Sequence, residues 1–135
     1  MAQLADVRVA LELKAHLAQA TEPQVQLERN WFRRVLAAED ATPLYCSDEN
    51  EDGDFDDVDA ADVVGDMARF RHELDRCRRV AAEHSDLDTI GKGVRGGRQI
   101  SVSLRWIYVH MIEEYARHNG HADFLRERID GATEV

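Results

Sequence analysis

The sequence contains few of the residues that form turns, and few aromatic residues. Among 135 residues there are 8 Gly and 2 Pro, and Phe, Trp and Tyr together make up 7%. So few turn-forming residues exclude the many tight turns of an all-β sandwich or barrel. Positive charge is also scarce, because 17 Lys and Arg face 27 Asp and Glu, which gives a net charge of -10. With no positive surplus to neutralise phosphates, we expect no binding to nucleic acid.

Long apolar runs are missing as well. No stretch reaches the roughly 18 apolar residues that a membrane-spanning helix needs, so we expect no membrane partner. Asp6, Glu12 and Lys14 interrupt the apolar positions of the N-terminal segment, which is not the pattern of a signal peptide. A cytoplasmic location is therefore expected. In that compartment Cys46 and Cys77 would remain reduced, as small thiols that pack in or near the core.

What the sequence does contain is helical periodicity. Apolar residues recur every three or four positions in four segments that are separated by turn-forming or acidic residues. The predicted helices cover about residues 3–19, 22–38, 60–84 and 102–129. A chain of this length is sufficient for one compact domain, which we place at residues 1–135. We therefore predict an all-α fold, a four-helix bundle whose longest connection lies between the second and third helices.

Capping residues mark where three of these helices begin. Thr21 forms a capping-box spacing with the glutamine three residues later, and Pro23 is tolerated in a first helical turn, so the second helix starts there. Asp59 is the predicted N-cap of the third helix. Ser101 or Ser103 would cap the fourth helix.

Residues 91–98 are rich in glycine and basic residues. Their order does not match that of a phosphate-binding P-loop, and no predicted strand precedes them. We interpret this segment as a flexible connection between the third and fourth helices.

Most of the negative charge lies in one segment. Residues 48–62 hold nine acidic residues and no Lys or Arg. Within this segment, residues 48–59 match the calcium loop of an EF-hand at positions one, three, five, six and nine, with an apolar residue at position eight. Position twelve is Asp59 instead of Glu, and Pro43 lies where the entering helix should be. We therefore expect a solvated acidic loop that does not bind calcium tightly.

The fourth predicted helix carries four titratable residues along one side. They follow one another at steps of four, four and three residues: His110, Glu114, His118 and His121. Residues three or four apart in an α-helix project in nearly the same direction. A carboxylate with imidazoles suits Zn, Ni, Fe or Mn, and helical bundles build such sites from ligands on facing helices. Alternatively, these histidines are core or edge residues that are held by hydrogen bonds.

Two segments of the sequence resemble one known family. Residues 103–123, SLRWIYVHMIEEYARHNGHAD, strongly resemble the last helix of the DinB/YfiT-like superfamily, in particular its mini-circle-protein branch of bacterial proteins. Residues 28–36, ERNWFRRVL, resemble the second helix of the same branch. The resemblance extends over about residues 24–131. It implies an up-down-up-down bundle with one long crossover, a bound divalent metal and, in many relatives, a dimer.

The resemblance also implies a set of metal ligands. In the superfamily the metal is held by one His of the second helix and by a (His/Glu)-x-x-x-His pair of the fourth, and that pair falls on Glu114 and His118, as in the mycothiol-dependent isomerases. The helix-two His stands eight residues before the Trp of that helix, but Pro23 occupies this position here. The nearest candidate is His16, seven residues earlier, which would keep the same face if one helix ran through both positions.

Two functions follow from this resemblance. In the first, the protein is a metal-dependent enzyme that uses a low-molecular-weight thiol of the mycothiol type in S-transfer or isomerisation of a small-molecule substrate, with His16, Glu114 and His118 as metal ligands. His110 or His121 then supplies a proton or contacts one of the metal ligands without binding the metal itself. In the second, a bundle that has lost a ligand persists as a non-catalytic protein. In both cases we expect a homodimer, because the first helix is shorter than in the family and leaves apolar faces open to a partner.

Overall fold

The computed structural model describes residues 24–45, 47, 49–50, 62–131 and 133. In chain order its elements are the π-helix π1 (Arg29–Leu36), the helix α1 (Val63–Ala82), the strands β1 (Ile90–Arg95) and β2 (Arg98–Ser103), and the helix α2 (Leu104–Asp130). Residues 24–28 form an α-helical turn that leads directly into π1. None of the described helices is long and apolar enough to cross a membrane.

An antiparallel hairpin occupies residues 90–103, so the prediction of an all-α four-helix bundle is wrong. The segment that we interpreted as a flexible connection forms β1, its turn and the start of β2. The signal is present in the sequence, because Ile100 and Val102 alternate with polar residues along β2. Between the strands, Gly96 and Gly97 have φ angles of 54° and 73°, which a two-residue hairpin turn requires and glycine adopts readily.

Several predictions concern residues outside the described part of the chain. The predicted first helix, residues 3–19, lies there together with its candidate ligand His16. Most of the acidic segment with its calcium-loop pattern, residues 51–61, also lies there, as does Cys46. The described residues contain three helical elements and the hairpin.

Two glycines of β1 allow the hairpin to lie directly on π1. A Cβ atom at Gly91 would lie 2.8 Å from the carbonyl oxygen of Val35, and one at Gly93 would lie 2.8 Å from Cγ2 of the same valine. Both distances are shorter than van der Waals contact, so a larger side chain at either position would push the two elements apart. β1 therefore covers one side of π1.

Both long helices are capped by side chains at their N-termini. Ser103 Oγ accepts a hydrogen bond from the backbone N–H of Trp106 at 3.2 Å and starts α2. Asp62 Oδ1 accepts from the backbone N–H of Gly65 at 3.1 Å and starts α1, so the prediction of Asp59 as the N-cap is wrong. Each of these bonds satisfies a helix N–H that has no partner within the helix.

The core lies where π1, α1 and α2 meet. Its buried members come from all three elements: Trp31, Phe32, Val35, Leu36, Cys77, Val80, Leu104, Ile107 and Met111. Ile100 and Val102 of β2 are partly buried against this cluster. The hairpin that replaces the expected connection thus contributes to the core.

Candidate metal and ligand sites

The helix α2 brings three of the predicted site residues together. Glu114 lies between two imidazoles: its Oε1 is 3.7 Å from His110 Nε2, and its Oε2 is 3.6 Å from His118 Nε2. The three side chains are only 10–13% exposed. The arrangement follows from the helix itself, because residues four apart lie one turn from each other on the same face. His121 is exposed, and its ring lies edge-on to that of His118, with the ring centroids 6.3 Å apart.

The carboxylate of Glu114 also has a cationic partner. Arg117 Nη2 donates to Glu114 Oε2, the oxygen that faces His118. The side chain of Arg117 is 60% exposed. Because the Glu114 carboxylate is itself buried, Arg117 can leave it only when another cation takes its place, since an unpaired buried carboxylate is costly. Glu114 Oε2 is therefore paired but open to exchange with another cation.

The imidazole of His110 is held by aromatic rings. It stacks on Trp106 with a centroid distance of 4.7 Å and an interplanar angle of 16°. Trp31 of π1 meets it edge-on, with the centroids 5.0 Å apart. These contacts fix the plane of the ring while its Nε2 faces Glu114. The two tryptophans could not be assigned to this site from the sequence, because nothing local shows that π1 lies against this part of α2.

The donor atoms of Glu114 and His118 suit one divalent ion. Two ligands that bind a zinc ion at about 2.0–2.1 Å in tetrahedral geometry lie about 3.4 Å from each other. Glu114 Oε2 and His118 Nε2 are 3.6 Å apart. Two ligands bind only weakly, however, and within the residues that the structure describes no group of three His, Cys, Asp or Glu could hold a metal ion. The third ligand that the resemblance suggests, His16, is outside those residues.

A cleft of about 810 Å³ opens between α1 and α2, on the flank of α2 away from His110. We call it the α1–α2 cleft. Its lining residues come from residues 28–32 and from both helices: Glu28, Phe32, Phe70, Leu74, Cys77, Arg78, Ala81, Ala82, Tyr108, Met111, Ile112 and Tyr115. Tyr115 directly follows Glu114, but consecutive helical residues point to different sides, and neither Glu114 nor His118 is among the described lining residues.

Three polar groups at the cleft are joined by hydrogen bonds. Tyr115 Oη donates to Glu28 Oε1 at 2.8 Å, and Cys77 Sγ donates to the backbone carbonyl oxygen of Glu28 at 3.4 Å. Burial raises the pKa of Glu28 above its usual value. Burial, together with the nearby carboxylate of Glu28, raises the pKa of Tyr115 and of Cys77 well above theirs. Cys77 is therefore a buried free thiol of low reactivity, as expected for a structural cysteine.

Comparison with protein families identifies the relatives of this chain. The model of the mycothiol-S-transferase family matches residues 11–131, which is most of the sequence. That family is part of the DinB/YfiT-like superfamily, which confirms the resemblance seen in the two helical segments. Comparison with curated proteins and with solved structures gives no match. The chain therefore belongs to the mycothiol-S-transferase family.

Proposed function

We propose that this protein is a metal-dependent S-transferase that uses a low-molecular-weight thiol of the mycothiol type. Membership of the mycothiol-S-transferase family supports both the thiol and the transfer of its sulfur. The structural observation that supports the proposal best is the buried pair of Glu114 and His118, whose donor atoms lie 3.6 Å apart. This pair occupies the positions at which the resemblance implies two metal ligands.

In this proposal Glu114, His118 and His16 hold the ion, which is Zn, Ni, Fe or Mn. When bound, an ion of this kind would lower the pKa of a coordinated thiol and so would supply a sulfur nucleophile at neutral pH. The ion would take the place of the guanidinium of Arg117 at Glu114, since the Arg117 side chain is mostly exposed and can turn into solvent. His110 faces the other carboxylate oxygen, where its fixed ring holds the carboxylate in position or accepts the proton that the thiol gives up.

Elemental analysis of protein purified without a His tag tests the metal site. We expect about one equivalent of metal per chain in the wild type, and loss of most of it in His118→Ala and in His16→Ala. His72→Ala removes an exposed histidine of α1 and is the matched control that should retain the metal. A wild type that carries no metal and takes up none on incubation with these ions contradicts the proposal. If His118→Ala loses the metal and His16→Ala keeps it, the third ligand is a residue other than His16.

The transfer reaction is tested with mycothiol and 1-chloro-2,4-dinitrobenzene. The thiol sulfur bonds to the ring carbon as chloride leaves, and the thiol proton is released with the chloride, so no oxidant is needed. Metal-loaded wild type and His72→Ala should form the conjugate faster than the uncatalysed reaction, whereas His118→Ala should not. Metal-loaded protein that accelerates neither this conjugation nor that of other electrophiles with mycothiol contradicts the S-transferase function.

Two observations favour a second function, that of a non-catalytic dimeric protein. Arg117 already neutralises Glu114, and Pro23 occupies the position of the helix-two ligand. In this case the wild type should take up no metal, and His118→Ala should resemble the wild type in metal content and in conjugation rate. The elemental analysis therefore separates the two functions.

A further inference from the structure

The walls of the α1–α2 cleft are mainly apolar. Its apolar lining comes from all three helical elements: Phe32, Phe70, Leu74, Met111 and Ile112. Ile112 is 69% exposed, so the cleft is open to solvent. The volume of about 810 Å³ falls within the range of small-molecule sites, roughly 300–1,000 Å³. A concave apolar surface of this size with a few convergent polar groups is typical of a binding site.

The polar groups of the cleft direct their protons to one another. A tyrosine hydroxyl and a thiol each carry a single proton. Tyr115 directs its proton to the Glu28 carboxylate, and Cys77 directs its proton to the Glu28 carbonyl oxygen. The groups that remain available to a ligand are hydrogen-bond acceptors, namely the phenol oxygen of Tyr115 and the carboxylate of Glu28. A ligand group that meets these atoms must therefore donate a hydrogen bond, because an acceptor would face only lone pairs.

The charges at the cleft do not favour an anion. Among the described lining residues Arg78 is the one cation, and its side chain is 73% exposed and faces Asp75, with Nη1 and Oδ1 3.5 Å apart. Glu28, by contrast, is buried. An anionic ligand would therefore meet a carboxylate inside the cleft and its counter-charge only in solvent, where it is screened.

From these observations we propose that the α1–α2 cleft binds a small molecule with an apolar body and one hydrogen-bond-donating hydroxyl group. Binding in the cleft does not rest on the proposed S-transferase function.

Two isomeric probes test the need for a donor: 1-octanol carries a hydroxyl proton, and 1-methoxyheptane has the same formula without one. Met111 lines the cleft and Met67 does not, so NMR of the full chain labelled with ¹³C in the methionine methyl groups reports binding against an internal reference. We expect 1-octanol to shift the Met111 signal to saturation and to leave the Met67 signal in place. The alcohol should bind about fivefold more tightly than the ether, which corresponds to one net hydrogen bond.

A substitution that narrows the cleft supplies a matched test. Ala82 lines the cleft and is exposed, so Ala82→Phe occupies the space without entering the core. Ala68→Phe, at an exposed position of α1 that does not line the cleft, is the control. We expect Ala82→Phe to weaken the binding of 1-octanol and Ala68→Phe to leave it unchanged, with similar thermal unfolding midpoints for both. Equal affinity for the alcohol and the ether, no Met111 shift in the wild type, or equal affinity of Ala82→Phe and Ala68→Phe for 1-octanol overturns the proposal.

The experiments can contradict the cleft proposal and the proposed S-transferase function independently of each other. Binding of 1-octanol is measured on the protein as purified, and metal content and conjugation are measured without 1-octanol. Protein that binds 1-octanol in the cleft but holds no metal contradicts the proposed function alone. Protein that holds metal and conjugates mycothiol but shows no Met111 shift contradicts the cleft proposal alone.

Discussion

Arg33 of π1 and Glu73 of α1 form a buried ion pair that joins the two helices. Arg33 Nη1 donates to Glu73 Oε1 at 2.8 Å, and the two side chains are 14% and 5% exposed. Arg29, one turn earlier, donates to the other carboxylate oxygen at 3.1 Å. A carboxylate withdrawn from water depends on such partners, because nothing else offsets its desolvation.

Removal of this carboxylate should destabilise the fold. Glu73→Gln should lower the free energy of unfolding by about 3 kcal/mol, because it removes the counter-charge of the largely buried Arg29 and one of the two carboxylate partners of Arg33. Asp75→Asn is the control, since its pair with Arg78 is exposed and should contribute less than about 0.5 kcal/mol. Urea unfolding followed by circular dichroism measures both variants. Equal effects of the two substitutions would contradict the role assigned to the buried pair.

Glu39 should make the stability sensitive to acid. Burial alone would raise its pKa, but hydrogen bonds and charges from Arg33 and Arg76, at 2.7 Å and 3.1 Å, outweigh burial and lower the pKa below the ordinary 4.5. A carboxyl group whose folded-state pKa is lowered stabilises the fold above the unfolded-state pKa, and this stabilisation is lost as the pH falls through the folded-state pKa. The wild type should therefore lose stability as the pH falls from about 5 to about 3, and Glu39→Gln should lose less. Urea midpoints across this range measure the difference, and parallel curves for the two proteins would refute it.

The parts of the structure that follow from local spacing could be predicted from the sequence. The apolar periodicity that indicates α1 and α2 depends only on 3.6 residues per turn. Glu114 and His118 are neighbours in any α-helix, because they are four residues apart. No long-range information is needed for either feature.

The hairpin and the cleft depend on contacts between distant parts of the chain. Gly91 breaks a helical pattern, which suggests a loop, but its function in the fold is to let β1 lie on Val35 of π1. At the cleft, the hydrogen bond between Glu28 and Tyr115 joins two residues that are 87 apart in the chain. No local pattern specifies such a contact, so sequence periodicity predicts the helices and leaves the space between them undetermined.

We expect the protein to be a homodimer, and α2 offers an apolar surface for the contact. Val109 and Phe124 lie on the same side of α2 and are 51% and 68% exposed. Exposed apolar side chains of this size are commonly covered by a partner chain. Val109→Glu should shift the equilibrium toward monomer, because it places a charge in the contact, whereas Ala68→Glu at an exposed position of α1 should not. Light scattering at tens of micromolar measures the state, and a wild-type monomer there would contradict the prediction.

Gly91 and Gly120 should respond in opposite directions to alanine. At Gly91 an added Cβ would lie 2.8 Å from the carbonyl oxygen of Val35 and 3.1 Å from Leu36 Cα, and these backbone atoms of π1 cannot give way without moving the hairpin. Gly91→Ala should therefore lower the free energy of unfolding by about 2 kcal/mol.

Gly120 lies inside α2, where an added Cβ meets nothing within 4 Å. Gly120→Ala should therefore raise the free energy of unfolding by about 0.5–1 kcal/mol, because alanine lowers the entropy of the unfolded chain. Urea unfolding measures both, and a Gly91→Ala protein as stable as the wild type would show that β1 is not pressed onto π1.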